Sequence, residues 1–145
     1  NLFQDREYCI MGTGKTEIYS KGTRKTPEVV IEDGRFRIEG RSIPENPGIF
    51  YKPLYDWIIE RFSETEGKPV IEFAFDYLNT ASANWVFLIL RDIATTGREF
   101  KLVWYYEKGD EDMCELGMMY KSLLGCQFAA VEVDEIQGYM KDFFE

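Results

Sequence analysis

The chain contains no histidine. That absence removes the commonest general base, the usual base of a nucleophilic triad and the imidazole ligand of most metal sites together, so an ordinary hydrolase is not expected. Cysteine is scarce: Cys9, Cys114 and Cys126 are odd in number and far apart, and they form neither a disulfide framework nor a CxxC metal hook. No apolar run approaches the roughly 20 residues that span a bilayer, and no basic stretch followed by an apolar core opens the chain. A cytoplasmic location is the expectation. Positive charge is also in deficit, with 17 Lys and Arg against 26 Asp and Glu and a net charge of −9. Attraction to a nucleic-acid backbone or an anionic membrane needs clustered cations, so neither is expected as a partner.

Apolar side chains make up 45% of the 145 residues and aromatics 16%. A chain of this length and composition can bury one core without disulfides or metals. Residues 1–14 show little periodicity and read as an N-terminal arm or a vector-derived lead; residues 15–145 read as one domain. Glu17-Ile18-Tyr19 suits a short edge strand, and Glu28-Val29-Val30-Ile31-Glu32 is a β-branched run. Asp33-Gly34 then predicts a hairpin turn, since glycine tolerates the positive φ that such a turn requires. Beyond it, Phe36 and Ile38 alternate with Arg35, Arg37 and Glu39, an apolar face and a charged one.

Asn46 followed by Pro47 is a helix start, and Phe50, Leu54, Trp57, Ile58 and Phe62 recur at helical spacing up to Gly67, with Pro53 expected to distort the first turns. A strand is predicted over Lys68–Leu78 and a strongly apolar helix over Thr80–Thr96, closed by Gly97. Phe100–Tyr106 is the next strand. Asp110-Glu111-Asp112 opens a third helix with negative charge where its dipole favours it, Phe128–Val133 is a last strand, and Asp134–Phe144 is a last amphipathic helix. This alternation calls for an α/β fold: a mixed β-sheet with an N-terminal hairpin and mostly parallel later strands, covered by about four helices.

Three stretches bear on chemistry. Gly12-Thr13-Gly14-Lys15-Thr16 ends like a phosphate-binding loop, but Cys9 stands where the first glycine belongs and Glu17-Ile18-Tyr19 reads as extended rather than helical. Glu107 and Asp110-Glu111-Asp112 could ligate a divalent cation and so support a metal-dependent enzyme, against which helix capping is the plainer account. At Asp76-Tyr77-Leu78-Asn79-Thr80 a buried strand ends and an apolar helix begins. Asn79 or Thr80 must be the N-cap there, and free backbone N–H groups beside it would welcome a phosphate on the Thr80 hydroxyl; from the pattern alone, capping without phosphorylation is the plainer account.

Four separated motifs carry a family resemblance: Thr26-Pro27-Glu28-Val29; Gly40-Arg41-Ser42-Ile43-Pro44-Glu45-Asn46; Tyr77-Leu78-Asn79-Thr80; and Trp104-Tyr105-Tyr106-Glu107 with Asp110-Glu111-Asp112-Met113. Over about residues 15–133 the chain resembles the SiaC family of bacterial regulatory phosphoproteins, whose domain is similar to the STAS domain of anti-sigma factor antagonists. The resemblance implies a non-enzymatic partner switch with no cofactor. A cognate Ser/Thr kinase phosphorylates a residue at the start of the helix after a central strand, a PP2C-type phosphatase removes the phosphate, and the unmodified form binds and activates a diguanylate cyclase, linking the switch to cyclic di-GMP and biofilm formation. Thr80 falls at that position, followed by Ala81-Ser82-Ala83-Asn84 where the family tends to carry more hydroxyls and a lysine. Tyr77, Leu78, Asn79, Ser82 and Asn84 flank it as expected partner contacts, with Glu45, Asn46 and a polar stripe of Asn84, Arg91 and Arg98 as further candidates. A constitutive scaffold of the same fold is the other alternative.

Overall fold

The computed structural model describes residues 16–136. Three strands open it: β1 (Thr16–Ser20), β2 (Glu28–Glu32) and β3 (Arg35–Ser42), followed by α1 (Pro47–Glu64), β4 (Val70–Leu78), α2 (Thr80–Ala94), β5 (Lys101–Glu107), α3 (Glu111–Leu124) and β6 (Gln127–Val133). All six strands form one sheet in sequence order. β1, β2 and β3 pair antiparallel, and β3 to β6 pair parallel. Asp33 and Gly34 take positive φ of 49° and 79° in the predicted turn, joining the Glu32↔Arg35 pair.

Successive right-handed crossovers that always step in one direction place α1, α2 and α3 on one face of the sheet. Phe36, Ile38, Ile71, Phe73, Phe75, Leu102 and Trp104 point to that face, into a core with Leu54, Ile58, Val86, Ile89 and Ile93 from the helices. Trp104 is fully buried, and its indole N–H donates to the Met113 carbonyl at 2.9 Å. The opposite face carries charge. Arg35 and Arg37 both reach the Glu72 carboxylate, at 3.2 and 3.4 Å, and Arg41 reaches Asp76 at 3.3 Å.

Three of the expected four helices lie among the described residues. The helix predicted over 134–144 falls almost wholly outside them, as do the 1–14 segment and most of the glycine-rich fragment at 12–16. The helix expected from Pro47 runs without interruption to Glu64 with Pro53 inside it. Pro53 removes the N–H that would meet the Ile49 carbonyl, but Ile49 is 73% exposed, so water can serve that carbonyl instead.

Candidate functional site

Among the described residues, strands β3, β4 and β5 run parallel and each is followed by a helix, which puts the three helix starts at the same edge of the sheet. At that edge β4 runs out at Leu78 and α2 begins. Asn79 is the N-cap: its backbone is extended (φ −78°, ψ 170°) and its side-chain oxygen accepts the Ser82 N–H at 2.9 Å. Its carbonyl accepts the Ala83 N–H at 2.9 Å. The choice left open by the sequence therefore falls on Asn79, and Thr80 occupies the first helical position.

This division of labour decides the chemistry. Capping does not consume the Thr80 hydroxyl; among the described residues it has no hydrogen-bond partner, and Thr80 is exposed. The N–H groups of Thr80 and Ala81 precede any intrahelical acceptor, so they leave the positive end of the α2 dipole open to an anion. The first turn of α2 contains no acidic residue.

Around Thr80 the expected contacts separate into two groups. Tyr77 is 54% exposed, Asn84 is exposed, and Leu78 and Asn79 are half-buried; these four border the threonine at the surface. Ser82 does not join them. It is 0% exposed, with its hydroxyl donating to the Ser42 carbonyl at 3.1 Å and accepting from the Ser42 hydroxyl at 2.8 Å. The expectation of a direct partner contact at Ser82 is thus corrected, because no incoming side chain reaches a sealed oxygen. A sequence signal for this existed: Ser82 lies on one helical stripe with Val86, Ile89 and Ile93, all buried.

Asn46 caps α1 through its side chain, which accepts the Ile49 N–H at 3.4 Å. Glu45 pairs with Lys25, a hydrogen bond that holds its carboxyl below the ordinary range. Arg98 does not continue a polar stripe. Its guanidinium turns back to the Phe62 and Gly67 carbonyls and lies over the Phe62 ring, closing the end of α1.

A family model decides what kind of protein this geometry belongs to: that of the SiaC family regulatory phosphoprotein matches residues 20–133. The chain belongs to the SiaC family. An uncharacterized protein of Pseudomonas aeruginosa (strain UCBPP-PA14) is 29% identical over 126 residues, covering 83% of this chain and 99% of the relative. Among solved structures, SiaC of Pseudomonas aeruginosa aligns with a TM-score of 0.69 at 26% identity, over 82% of this chain and 99% of that one. The crystal structure of the diguanylate cyclase SiaD in complex with its activator SiaC, from the same organism, aligns with a TM-score of 0.66 at 28% identity, over 77% of this chain and 96% of that one.

The carboxylates that would have made this SiaC-family chain a metal enzyme do not converge. The Asp110 side chain accepts the Met113 N–H at 3.1 Å as the α3 cap, while Glu111 and Asp112 are exposed on the first turn. Among the described residues no group of three or more Cys, Asp or Glu is placed to hold a metal ion. An open cleft of about 810 Å³ lies at the opposite end of the sheet, lined by Glu17, Asp33, Glu60, Glu64 and Glu66 around Arg61. Arg61 is itself engaged by Glu17 at 2.8 Å. No helix among the described residues is long and apolar enough to cross a membrane.

Proposed function

We propose that this protein is a non-enzymatic partner switch with a STAS-like sheet, controlled by phosphorylation of Thr80. A cognate Ser/Thr kinase transfers the γ-phosphoryl group of ATP to the Thr80 hydroxyl: an oxygen–phosphorus bond forms, the bond to the β-phosphate oxygen breaks, ADP leaves, and the hydroxyl proton passes to a base of the kinase. A PP2C-type phosphatase hydrolyses the ester: water bonds to phosphorus, the bond to the Thr80 oxygen breaks, inorganic phosphate leaves, and the hydroxyl regains a proton. In the unmodified state the surface around Tyr77, Leu78, Asn79 and Asn84 docks on a signalling enzyme such as a diguanylate cyclase.

The observation that carries this reading is the exposed, unengaged Thr80 hydroxyl beside two unpartnered N–H groups at the start of α2. A phosphate adds about −1.5 to −2 charges to a chain already at −9. Bringing that dianion into an interface without a cationic partner costs several kcal/mol, enough to abolish docking. Support for a cyclase as the partner comes from the structural likeness to SiaC, which the solved complex describes as the activator of SiaD.

The test is intact-mass measurement after incubation with ATP and candidate Ser/Thr kinases from the source genome, followed by mapping of the modified residue. One added phosphate at Thr80, absent in Thr80→Ala, is the expected outcome. A phosphate mapped elsewhere, or none in the wild type, overturns the proposal.

A further inference from the structure

Beneath Thr80 lies a chain of three buried hydroxyls drawn from three separate elements. Ser42 at the end of β3 and Ser82 in the first turn of α2 are both 0% exposed, and Tyr51 in α1 is 1% exposed. The Ser42 hydroxyl bonds the Tyr51 phenol on one side and the Ser82 hydroxyl, at 2.8 Å, on the other. Each hydroxyl has one proton to give. Ser82 gives its proton to the Ser42 carbonyl and Ser42 gives its own to Ser82, so Tyr51 must donate to Ser42. Only one donor order satisfies all three groups.

The chain ends on a carbonyl with a second duty. The Ser42 carbonyl accepts the Ser82 hydroxyl at 3.1 Å and also the Asn79 N–H at 3.1 Å. One oxygen on β3 therefore holds the residues on both sides of the Thr80-Ala81 pair. The Asn79 side chain closes the loop on the Ser82 N–H. Trp85 stacks on the Tyr51 ring, with centroids 6.1 Å apart and planes 9° from parallel, so the outer end of the chain is fixed as well. Burial pushes the Tyr51 phenol above its ordinary range and keeps it a donor.

We propose that Tyr51, Ser42 and Ser82 are positioning residues that clamp the first turn of α2 and set the Thr80 hydroxyl as a phosphoryl acceptor. The inference rests on the reading of Thr80 as the modified residue. Phosphoryl transfer gains its rate from placement of the acceptor, and a displacement of about 1 Å can cost on the order of a hundredfold. The clamp also explains why, of the two aliphatic hydroxyls in the first turn of α2, the Thr80 one is available: Ser82, two residues away, spends its proton and its exposure on the chain.

The experiment compares Tyr51→Phe, Ser82→Ala and a control, Tyr55→Phe. The control removes a phenol that also joins α1 to α2, through Asp92, but away from Thr80. With the kinase that modifies the wild type, both clamp variants are expected to lose about tenfold in kcat with KM within twofold, while Tyr55→Phe keeps the wild-type kcat. Amide hydrogen exchange at Asn79 and Ser82 should accelerate about tenfold in the clamp variants only, with α3 amides unchanged. Should one clamp variant not fold, the other decides. Wild-type kcat in a folded clamp variant, or an equal loss in Tyr55→Phe, overturns the positioning role and leaves Thr80 as the acceptor. A wild type that takes no phosphate at Thr80 overturns the functional reading and the role together.

Discussion

Two helix starts at the same edge of the sheet are built alike and charged differently. α2 is capped by Asn79 and α3 by Asp110, each side chain accepting an N–H three residues on. The next residues diverge: α3 carries Glu111 and Asp112 in its first turn, whereas α2 carries none and has Thr80 and Ala81 instead. Carboxylates near a helix N-terminus stabilise it by about 0.3–1 kcal/mol each. α3 has filled its positive end with its own side chains. α2 has left that end vacant and placed an exposed hydroxyl beside it, so of these two it is α2 that is prepared to receive an added anion.

The helices also differ in how they are held. α3 presses so closely on the sheet that a Cβ at Gly117 would sit 2.4 Å from the Trp104 ring. Gly117→Ala should therefore have the largest effect on stability, about 1–3 kcal/mol lost, read as a lower urea midpoint. A midpoint equal to the wild type would mean that α3 is not seated as described. The vacancy at α2 should be untouched by this change, and residual folded protein should still accept phosphate at Thr80.

The charged face of the sheet sharpens the same point, since it shows what burial does to a carboxylate that nearby positive charge only partly offsets. Glu39 is 9% exposed and stands opposite Glu28 across the β2–β3 pair. Burial first, and the Glu28 charge second, push its carboxyl up to about 8. The folded state then binds the Glu39 proton more tightly than the unfolded chain, so stability falls as pH rises from the ordinary carboxylate range through about 8. Glu39→Gln should flatten that slope in urea melts across this range. A slope identical to the wild type contradicts the assignment to Glu39.

Smaller effects separate the two helix starts directly. Asn79→Ala and Asp110→Ala should each cost about 1 kcal/mol in urea melts, but only Asn79→Ala should slow phosphorylation of Thr80. Equal phosphorylation by both variants would mean that the caps are interchangeable. Smallest is Thr80→Asp, which fills the α2 vacancy and should raise stability by about 0.3–1 kcal/mol while weakening effector binding. A loss of stability would show that the α2 dipole is already compensated.

The elements with local causes were legible in the sequence. Asp33-Gly34, Asn46-Pro47 and the acidic start of α3 each announce themselves within four residues, and the structure has them where expected. The strand-to-helix junction at Thr80 was equally readable. What escaped depends on contacts between elements distant in the chain. Whether Asn79 or Thr80 caps α2 turns on which side chain reaches the Ser82 N–H, and sequence spacing permits both. The burial of Ser82 follows from a carbonyl 40 residues away. Arg98 looked like surface charge because its acceptors, the carbonyls at the end of α1, are 36 and 31 residues distant. The carboxylates at 110–112 read from the sequence as helix-capping residues before metal ligands, and Asp110 caps α3 as that reading has it.

The most direct measurement is a binding titration of a candidate diguanylate cyclase from the same organism against two preparations of this protein, one unmodified and one stoichiometrically phosphorylated at Thr80. Binding by the unmodified form and a loss of roughly a hundredfold or more on phosphorylation is the expected result. The same Kd for both forms would contradict the account and leave a scaffold whose Thr80 carries no signal.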